Sequence, residues 1–424
     1  MELGIKELEE KGRAARAASR KLAYLSAEVK NRALLGIAEA LIGNNGAILD
    51  ANGIDYDQAR ASGMDEAMLD RLLLSPSRLE AMSLDVRTVA ALPDPVGEMI
   101  EMRTLPNGLQ IGRKRVPLGV IGAIYESRPN VTVDISSLCL KSGNAVILRG
   151  GKEAMNSNRA LARVAQDACR QAGVPDGAIQ LVEHPERALV EHMLQMKGVI
   201  DLIIPRGGAG LIKLVSEKAA MPVVAGGIGV CHTYVDKSAD LEKATAIVYN
   251  AKVQRPTVCN ALDCVLVHGE IAEAFLPRLA TGLAEAGVEM RCDERAMAVL
   301  KAGAASNCVA ATDGDWGKEY LSLRAAIKVV DSLDEALEHI ERYGSGHSEA
   351  VVAEDYSTAM RFLNEVDAAC VYANASTRFT DGSQFGLGAE IGISTQKFHA
   401  RGPMALKEIT SYKWVAFGSG QVRP

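Results

Sequence analysis

The sequence predicts an α/β protein with two doubly wound parallel-sheet domains and a small additional β element. Short apolar runs alternate with amphipathic segments from Pro117 onward, which is typical of parallel strands joined by helices. At 424 residues, the chain is longer than one hydrophobic core usually organises. Hydrophobic residues make up 48% and charged residues 24%, the balance of an ordinary globular protein.

The N-terminal segment is predicted to be helical and to serve packing. Apolar residues recur in it every three or four positions, at Leu22, Leu25, Val29, Ala33, Ile37 and Leu41. A β-hairpin is expected next, because Pro106-Asn107-Gly108 separates two strand-like stretches and Asn-Gly tolerates positive φ.

Two series of strands define the predicted domains. The first series is Gly119–Tyr125, Ala145–Arg149, Ile179–Val182, Val199–Ile204 and Pro222–Ala225, and the second is Ala261–Val267, Ala326–Val330, Ser348–Ala353 and Ala369–Tyr372. We therefore expect a nucleotide-binding domain at residues 1–96 and 117–230, and a catalytic domain at residues 231–402. Residues 97–116 and 403–424 form the β element, whose tail strand is expected to pair with the hairpin of a neighbouring subunit.

Charge and cysteine usage exclude several function classes. The formal charge of −6 and the lack of a dense basic tract argue against a nucleic-acid partner. The acidic N-terminus lacks the core of a signal peptide, and no apolar stretch is long enough to span a membrane, so a cytoplasmic protein is expected. The eight cysteines show neither disulfide nor metal-ligand spacing, so no metal is predicted.

Cys259 carries the sharpest local sign of chemistry. It ends the irregular stretch Gln254–Asn260 between a predicted helix and a predicted strand, a position that can expose the sulfur. A nearby cation such as Arg255 could lower the pKa of its thiol and so provide a nucleophilic thiolate. The alternative is that Cys259 is one more buried apolar residue, as Cys264 is within its predicted strand.

Longer motifs favour the interpretation of Cys259 as a catalytic nucleophile over that of a buried structural residue. The order of hairpin, nucleotide-binding sheet, cysteine loop and second α/β domain resembles the aldehyde dehydrogenase superfamily. Three stretches resemble its gamma-glutamyl phosphate reductase family in particular: Val116–Thr132, Ser142–Ala154 and Gly386–Thr395. The resemblance covers nearly the whole chain.

The resemblance implies a reaction of proline biosynthesis. Cys259 attacks the acyl phosphate of L-glutamyl 5-phosphate, phosphate leaves, and NADPH reduces the resulting thioester to L-glutamate 5-semialdehyde. It also implies a homo-oligomer and a possible transient contact with a glutamate kinase. The glutamate that activates water in hydrolytic superfamily members is replaced by Ala225, which suits an enzyme that reduces its thioester.

Candidate cofactor residues follow two predicted strands. Arg149, Gly150, Gly151 and Lys152 end the second strand, where cations suit the 2′-phosphate of NADP(H); an ordinary solvated loop is the alternative. A second turn could bring backbone N–H groups to the pyrophosphate, or could be only a tight connection. That turn comprises Pro205, Arg206, Gly207 and Gly208. Glu319 falls where the superfamily places a glutamate near the nicotinamide ribose.

Candidate substrate ligands rest on the resemblance and on residue type. Asn130 could polarise the thioester oxygen, with Arg128 as its rival; Asn130 could equally cap a helix beginning near Val131. Arg255, Arg378 and the backbone near Thr395 could hold the substrate carboxylate and phosphate, or be surface and turn residues. His347 could donate to substrate, or be structural.

Two rival functions remain at this point. A CoA-acylating aldehyde dehydrogenase would share Cys259 and the missing base at Ala225. A catalytically silent nucleotide-binding assembly protein would keep the fold alone, because a fold does not prove chemistry.

Overall fold

A computed structural model describes residues 2–224, 226–302 and 307–423. The helices are α1 (Glu2–Leu22), α2 (Ala27–Gly43), α3 (Asn45–Ala61), α4 (Glu66–Leu72), α5 (Pro76–Ala91), α6 (Asn130–Lys141), α7 (Met155–Gln171), α8 (Ala188–Met193), α9 (Ala209–Lys218), α10 (Leu241–Val253), α11 (Gly269–Glu285), α12 (Glu294–Ala302), α13 (Leu333–Tyr343) and α14 (Tyr356–Glu365). The strands are β1 (Met99–Thr104), β2 (Gln110–Pro117), β3 (Val120–Tyr125), β4 (Ala145–Gly150), β5 (Ile179–Leu181), β6 (Leu202–Arg206), β7 (Cys231–Val235), β8 (Leu262–His268), β9 (Glu289–Cys292), β10 (Cys308–Ala310), β11 (Arg324–Val330), β12 (Ser348–Val352), β13 (Cys370–Ala373), β14 (Ile393–Ser394), β15 (Gly402–Pro403) and β16 (Thr410–Phe417).

The chain divides into two compact units. The first comprises Met1–Gly226, Gly386–Gly392 and Met404–Pro424, and the second comprises Gly227–Phe385 and Ile393–Pro403. The hairpin and the tail strand belong to the first unit by this division. Across the described ranges, none of the helices has the length and apolar character needed to cross a membrane.

The N-terminal helices of the first unit pack through the stripe that the sequence predicts. Ala33, Ile37 and Leu41 of α2 are fully buried, and burying such an aliphatic side chain contributes about 1.5–3 kcal/mol. The hydroxyl of Ser26 accepts a hydrogen bond from the backbone N–H of Val29 and so caps the start of α2. These helices therefore form from both local capping and tertiary burial.

A four-stranded parallel sheet, in the order β5-β4-β3-β6, forms the centre of the first unit. Every residue of β3 is buried, as expected for a strand covered by helices on both faces. The predicted strand at Pro222–Ala225 is reduced to one parallel bridge between Ile203 and Val223, and Ala225 lies outside the described residues.

The hairpin forms as predicted, with Gly108 at φ 81° in its turn. The tail strand β16 pairs antiparallel along the whole of β2 within the same chain. β16 is the outer strand of that sheet, and its predicted pairing with the hairpin of a neighbouring subunit stays a prediction. Two contacts anchor the start of β16 locally: Asn144 Nδ2 donates to the carbonyl of Ile409 at 2.8 Å, and Arg115 donates to Thr410 Oγ1 at 3.0 Å.

The second unit is built on a seven-stranded parallel sheet, in the order β10-β9-β11-β8-β7-β12-β13. The sequence predicts β8, β11, β12 and β13 but misses β7, β9 and the edge strand β10. The central strands β7, β8 and β12 are buried throughout. Because all these strands are parallel, the residues just before β7, β8 and β12 meet at one edge of the sheet, which is where the candidate nucleophile lies.

Candidate active site

Cys259 lies in the irregular segment between α10 and β8, as the sequence predicts. It is half-buried, as is Cys308, whereas the other six cysteines are buried. The chain must turn sharply here, because α10 ends at Val253 and β8 begins only at Leu262. The sulfur of Cys259 is thus more accessible than that of a core cysteine such as Cys264.

A glycine-rich segment packs directly on the backbone of Cys259. A Cβ atom placed on Gly229 would lie 1.8 Å from the Cys259 carbonyl oxygen, so only glycine fits this approach. The N–H of Gly229 donates to Glu319 Oε1 at 2.9 Å. At Gly227, a Cβ atom would lie 2.7 Å from Thr395 Oγ1. Glu319 and Thr395, both singled out in the sequence, therefore contact the segment that supports the cysteine loop.

Cys231, which is not among the predicted site residues, contacts the peptide group of Cys259. Its sulfur lies 3.2 Å from the Cys259 carbonyl oxygen. Burial raises the pKa of the Cys231 thiol well above its usual range, so the group stays protonated and can donate a hydrogen bond. Its sequence position gave no sign of this role, because Cys231 and Cys259 are 28 residues apart.

His347 lies in the hydrogen-bond network behind this thiol. Its Nδ1 atom is 3.9 Å from the Cys231 sulfur and 2.8 Å from Ser348 Oγ, which in turn lies 2.6 Å from Thr380 Oγ1. Burial lowers the pKa of His347 to about 4, so the ring is neutral near pH 7. His347 is fully buried and contacts Cys231 and Ser348, which favours the structural alternative; donation from His347 to the substrate stays a prediction.

Arg378 lies against the cysteine loop. Arg378 donates to Gln254 at 2.8 Å and to the side-chain oxygen of Asn260, so it bridges both ends of the cysteine loop. Burial lowers the pKa of Arg378, the positive charge of Arg255 lowers it further, and a thiolate at Cys259 raises it. A guanidinium remains charged under these influences, so Arg378 supplies positive charge near Cys259, which is the kind of neighbour that stabilises a thiolate. Arg255 itself is exposed.

In the first unit, two candidate cations follow or end β4: the guanidinium of Arg149, which is bound to backbone carbonyls, and the ammonium of Lys152, which is exposed. Arg149 donates to the carbonyl of Pro185 at 2.9 Å and to that of Gly150 at 3.0 Å, so its guanidinium is tied to the backbone. Lys152 is exposed, and its ammonium has no hydrogen-bond or ion-pair partner within residues 2–224, 226–302 and 307–423. A Cβ atom on Gly151 would collide with the carboxylate of Glu153. Lys152 is therefore the better placed cation for a phosphate group.

The turn at Gly207 and Gly208 contacts an acidic residue, Glu126, that is not among the predicted site residues. Pro205 and Arg206 still belong to β6, and Gly207 and Gly208 are exposed before α9 begins. The N–H of Gly208 donates to Glu126 Oε2 at 3.0 Å, so this carboxylate occupies the position predicted for a pyrophosphate. Glu126 directly follows β3, and an acid after a strand of such a sheet was the available clue.

A second acid lies between the two turns. Glu153 Oε1 accepts hydrogen bonds from both the N–H and the hydroxyl of Ser127, each at 2.7 Å. Ser127 has a φ of 43°, the left-handed region that side chains other than glycine seldom adopt. This contact therefore fixes the path of the chain between β3 and α6, where the half-buried Arg128 lies.

Asn130 is the first residue of α6, and its side chain does not cap that helix. Its Nδ2 donates instead to Asp134 Oδ2 at 2.8 Å. Burial raises the pKa of Asp134 to about 7, against the opposing effects of this hydrogen bond and of the positive charge of Arg206. An amide nitrogen carries two hydrogens, so Asn130 keeps one that can be donated to an oxyanion. That second donation stays a prediction.

Known proteins resemble this chain over its whole length. A model of the aldehyde dehydrogenase family matches residues 3–304. The gamma-glutamyl phosphate reductase of Dehalococcoides mccartyi is 62% identical over 423 residues, covering 100% of each chain, and that of Moorella thermoacetica is 56% identical, covering 98% and 99%. The crystal structure of gamma-glutamyl phosphate reductase from Thermotoga maritima superposes with a TM-score of 0.95 at 48% identity, covering 99% of this chain and 100% of that one.

Proposed function

We propose that this chain, which belongs to the aldehyde dehydrogenase family and within it to the gamma-glutamyl phosphate reductases, reduces L-glutamyl 5-phosphate to L-glutamate 5-semialdehyde and phosphate. The reaction proceeds through a thioester on Cys259 and takes its electrons from NADPH. The observation that carries this assignment is the half-buried Cys259 in a loop that the guanidinium of Arg378 bridges.

The first half of the reaction is an acyl transfer to sulfur. The Cys259 thiolate attacks the acyl carbon of the substrate, a C–S bond forms, and the C–O bond to phosphate breaks. The positive charges of Arg255 and Arg378 stabilise both the attacking thiolate and the departing phosphate. Cys231 holds the Cys259 peptide through its S–H group, which fixes the direction from which the sulfur approaches.

The second half requires a hydride donor, and a bound nicotinamide cofactor supplies that hydride. The aldehyde dehydrogenase fold indicates a nicotinamide cofactor, and we propose NADPH over NADH on the strength of the exposed ammonium group of Lys152. The exposed turn at Gly207 and Gly208 fits the approach of a phosphate-bearing nucleotide. Glu126 would have to release the Gly208 N–H for that turn to bind phosphate, and its carboxylate could then accept from a ribose hydroxyl.

The remaining candidates have narrower roles. We assign Asn130 or Arg128 to the developing oxyanion and Thr395 to the substrate, because each is half-buried and polar. Glu319 is assigned to the cofactor ribose through its second carboxylate oxygen. Ala225, the position without a water-activating base, favours reduction of the thioester over hydrolysis; it lies outside the residues that the structure describes.

We also propose a cytoplasmic homo-oligomer, which could accept its unstable substrate directly from a glutamate kinase. All eight cysteines are free thiols, as expected in a reducing compartment. The outer strand β16 exposes Tyr412, Trp414 and Phe417, with 47%, 61% and 56% of their surfaces accessible. Exposed aromatic residues on an edge strand are typical of a protein interface.

The function is tested in the reverse direction, with glutamate 5-semialdehyde, NADP⁺ and phosphate. Formation of NADPH should depend on phosphate and should be lost in Cys259→Ala. The matched control is Cys308→Ala, because Cys308 is the other half-buried cysteine and should be dispensable. Turnover that requires CoA and ignores phosphate would instead identify a CoA-acylating enzyme.

A further inference from the structure

A buried cluster of two histidines and one cysteine lies in the second unit, apart from the residues assigned to the reaction. It comprises His232 of β7, Cys264 of β8 and His339 of α13, each at most 3% exposed. His232 and Cys264 occupy partner positions on neighbouring strands, so their side chains point to the same face of the sheet. His339 lies on the buried face of α13.

We propose that this cluster is a binding site for a soft divalent cation of the zinc class. One potential ligand atom from each of the three side chains lies within 4.8 Å of the other two. Cys264 Sγ and His339 Nε2 are 3.7 Å apart, close to the separation of about 3.6 Å that tetrahedral zinc imposes on a sulfur and a nitrogen ligand. The imidazole rings of His232 and His339 stand edge to face, with centroids 5.5 Å apart.

The orientation of His232 is the second argument. Glu349 Oε2 accepts hydrogen bonds from the His232 backbone N–H at 2.7 Å and from its ring Nδ1 at 3.0 Å. This contact leaves the lone pair on Nε2, and that buried atom makes no hydrogen bond within the described part of the chain. A carboxylate that orients the far nitrogen of a histidine is the usual outer support of a metal-bound imidazole.

Charge balance is the third argument. Burying the Glu349 carboxylate alone is costly, and the thiolate of Cys264 would add a second negative charge. A divalent cation neutralises both charges, while the two imidazoles ligate as neutral groups. The site offers three protein ligands, and the fourth position is left for a water molecule.

An acidic cavity on the surface of the same unit reaches Glu349, the carboxylate that contacts His232. It has a volume of about 600 Å³, and Glu349 lines it together with Glu338 and Glu341. Glu349 therefore touches the cavity and also hydrogen-bonds to His232. The cavity would attract cations, and the bound cation would join α13 to β7 and β8 and so stabilise the second unit.

The test uses Zn²⁺ and Co²⁺ on full-length protein that carries Cys259→Ala, so that the accessible thiol does not bind metal. Protein produced with Zn²⁺ and then dialysed should retain about one zinc per chain. Zinc should be lost in Cys264→Ser and in His339→Gln but retained in Cys169→Ser, a control at a buried cysteine of the first unit. The zinc-loaded protein should also unfold at a higher temperature than the chelated protein.

Cobalt gives an independent measurement that needs no further variant. Co²⁺ bound through Cys264 should produce a thiolate-to-cobalt charge-transfer band, with visible bands of tetrahedral intensity. Absence of that band overturns the proposal even if Cys264→Ser fails to fold. Zinc retained equally by Cys264→Ser and His339→Gln also overturns it, because the metal would then be bound elsewhere.

Discussion

Replacing Gly229 by alanine should impair catalysis without preventing folding. The added Cβ atom would lie 1.8 Å from the Cys259 carbonyl oxygen, far inside any permissible contact. The neighbouring atom is backbone, so the cysteine loop itself must move, by roughly 1.5 Å or more, to restore van der Waals contact. A displacement of about 1 Å at a reacting group lowers the rate on the order of 100-fold.

The measurement is kcat/KM for semialdehyde oxidation, together with the rate of Cys259 alkylation by iodoacetamide. Gly282→Ala is the matched control, since its Cβ atom would meet only Tyr249 at 3.5 Å within a helix. NADP⁺ affinity should fall less than kcat/KM does, because Gly229 contacts the cofactor only through Glu319, whereas it packs directly on the reacting Cys259. A folded Gly229→Ala protein with kcat/KM within twofold of the parent would refute the reasoning.

Four further outcomes are expected. Cys231→Ala should lower kcat about fivefold, the effect expected from losing one hydrogen bond. Cys231→Ser keeps a donor and should recover most of that activity. Equal losses of kcat in the two variants would point to packing alone. Arg378→Gln should raise the pKa of Cys259, so the pH at which its alkylation is half-maximal should move upward; an unchanged profile contradicts the electrostatic role. Lys152→Ala should raise KM for NADPH about tenfold while hardly changing KM for NADH, and an equal rise in both excludes a 2′-phosphate contact. Burial raises the pKa of Asp134 to about 7 in the folded protein. The stabilising contribution of this carboxyl group is therefore complete below its unfolded pKa and is lost as pH rises through 7. In urea unfolding, Asp134→Asn should gain stability over the parent from about pH 5 to about pH 8, and a constant difference would contradict this.

The sequence predicts the fold well where local patterns and burial agree. The strands β3 and β11 are read from apolar runs, and both lie within two residues of their predicted bounds. The strands β9 and β10 were missed because they are short and only partly buried. The buried strand β7 was missed because His232 and Thr233 interrupt its apolar run. The intersubunit pairing predicted for β16 stays a prediction, because a strand pattern carries no information about which chain provides its partner.

Some residues of the candidate site could be predicted from the sequence, and others became evident only from contacts in the structure. Cys259 and Arg378 could be singled out from residue type and resemblance, since both occur in loops. Cys231 could not, because its role depends on a contact between two segments separated by 28 residues. Glu126 was missed because a carboxylate was not expected at a phosphate-binding turn.

The buried histidine–cysteine cluster shows the same limit most clearly. Ligand spacing in the sequence predicted no metal, and spacing can reveal only ligands that lie on one short segment. His232, Cys264 and His339 come from three elements, and Cys264 and His339 are 75 residues apart. Only the pairing of β7 with β8, and the packing of α13, bring them within reach of one ion.

The central claim, a thioester on Cys259, is tested most directly by trapping it. The protein is mixed with glutamate 5-semialdehyde and NADP⁺ in the absence of phosphate, and the products are followed by absorbance and by mass spectrometry. The account predicts a burst of about one NADPH per chain and a glutamyl group on the peptide that contains Cys259. No burst, or an acyl group on a peptide without Cys259, would contradict it.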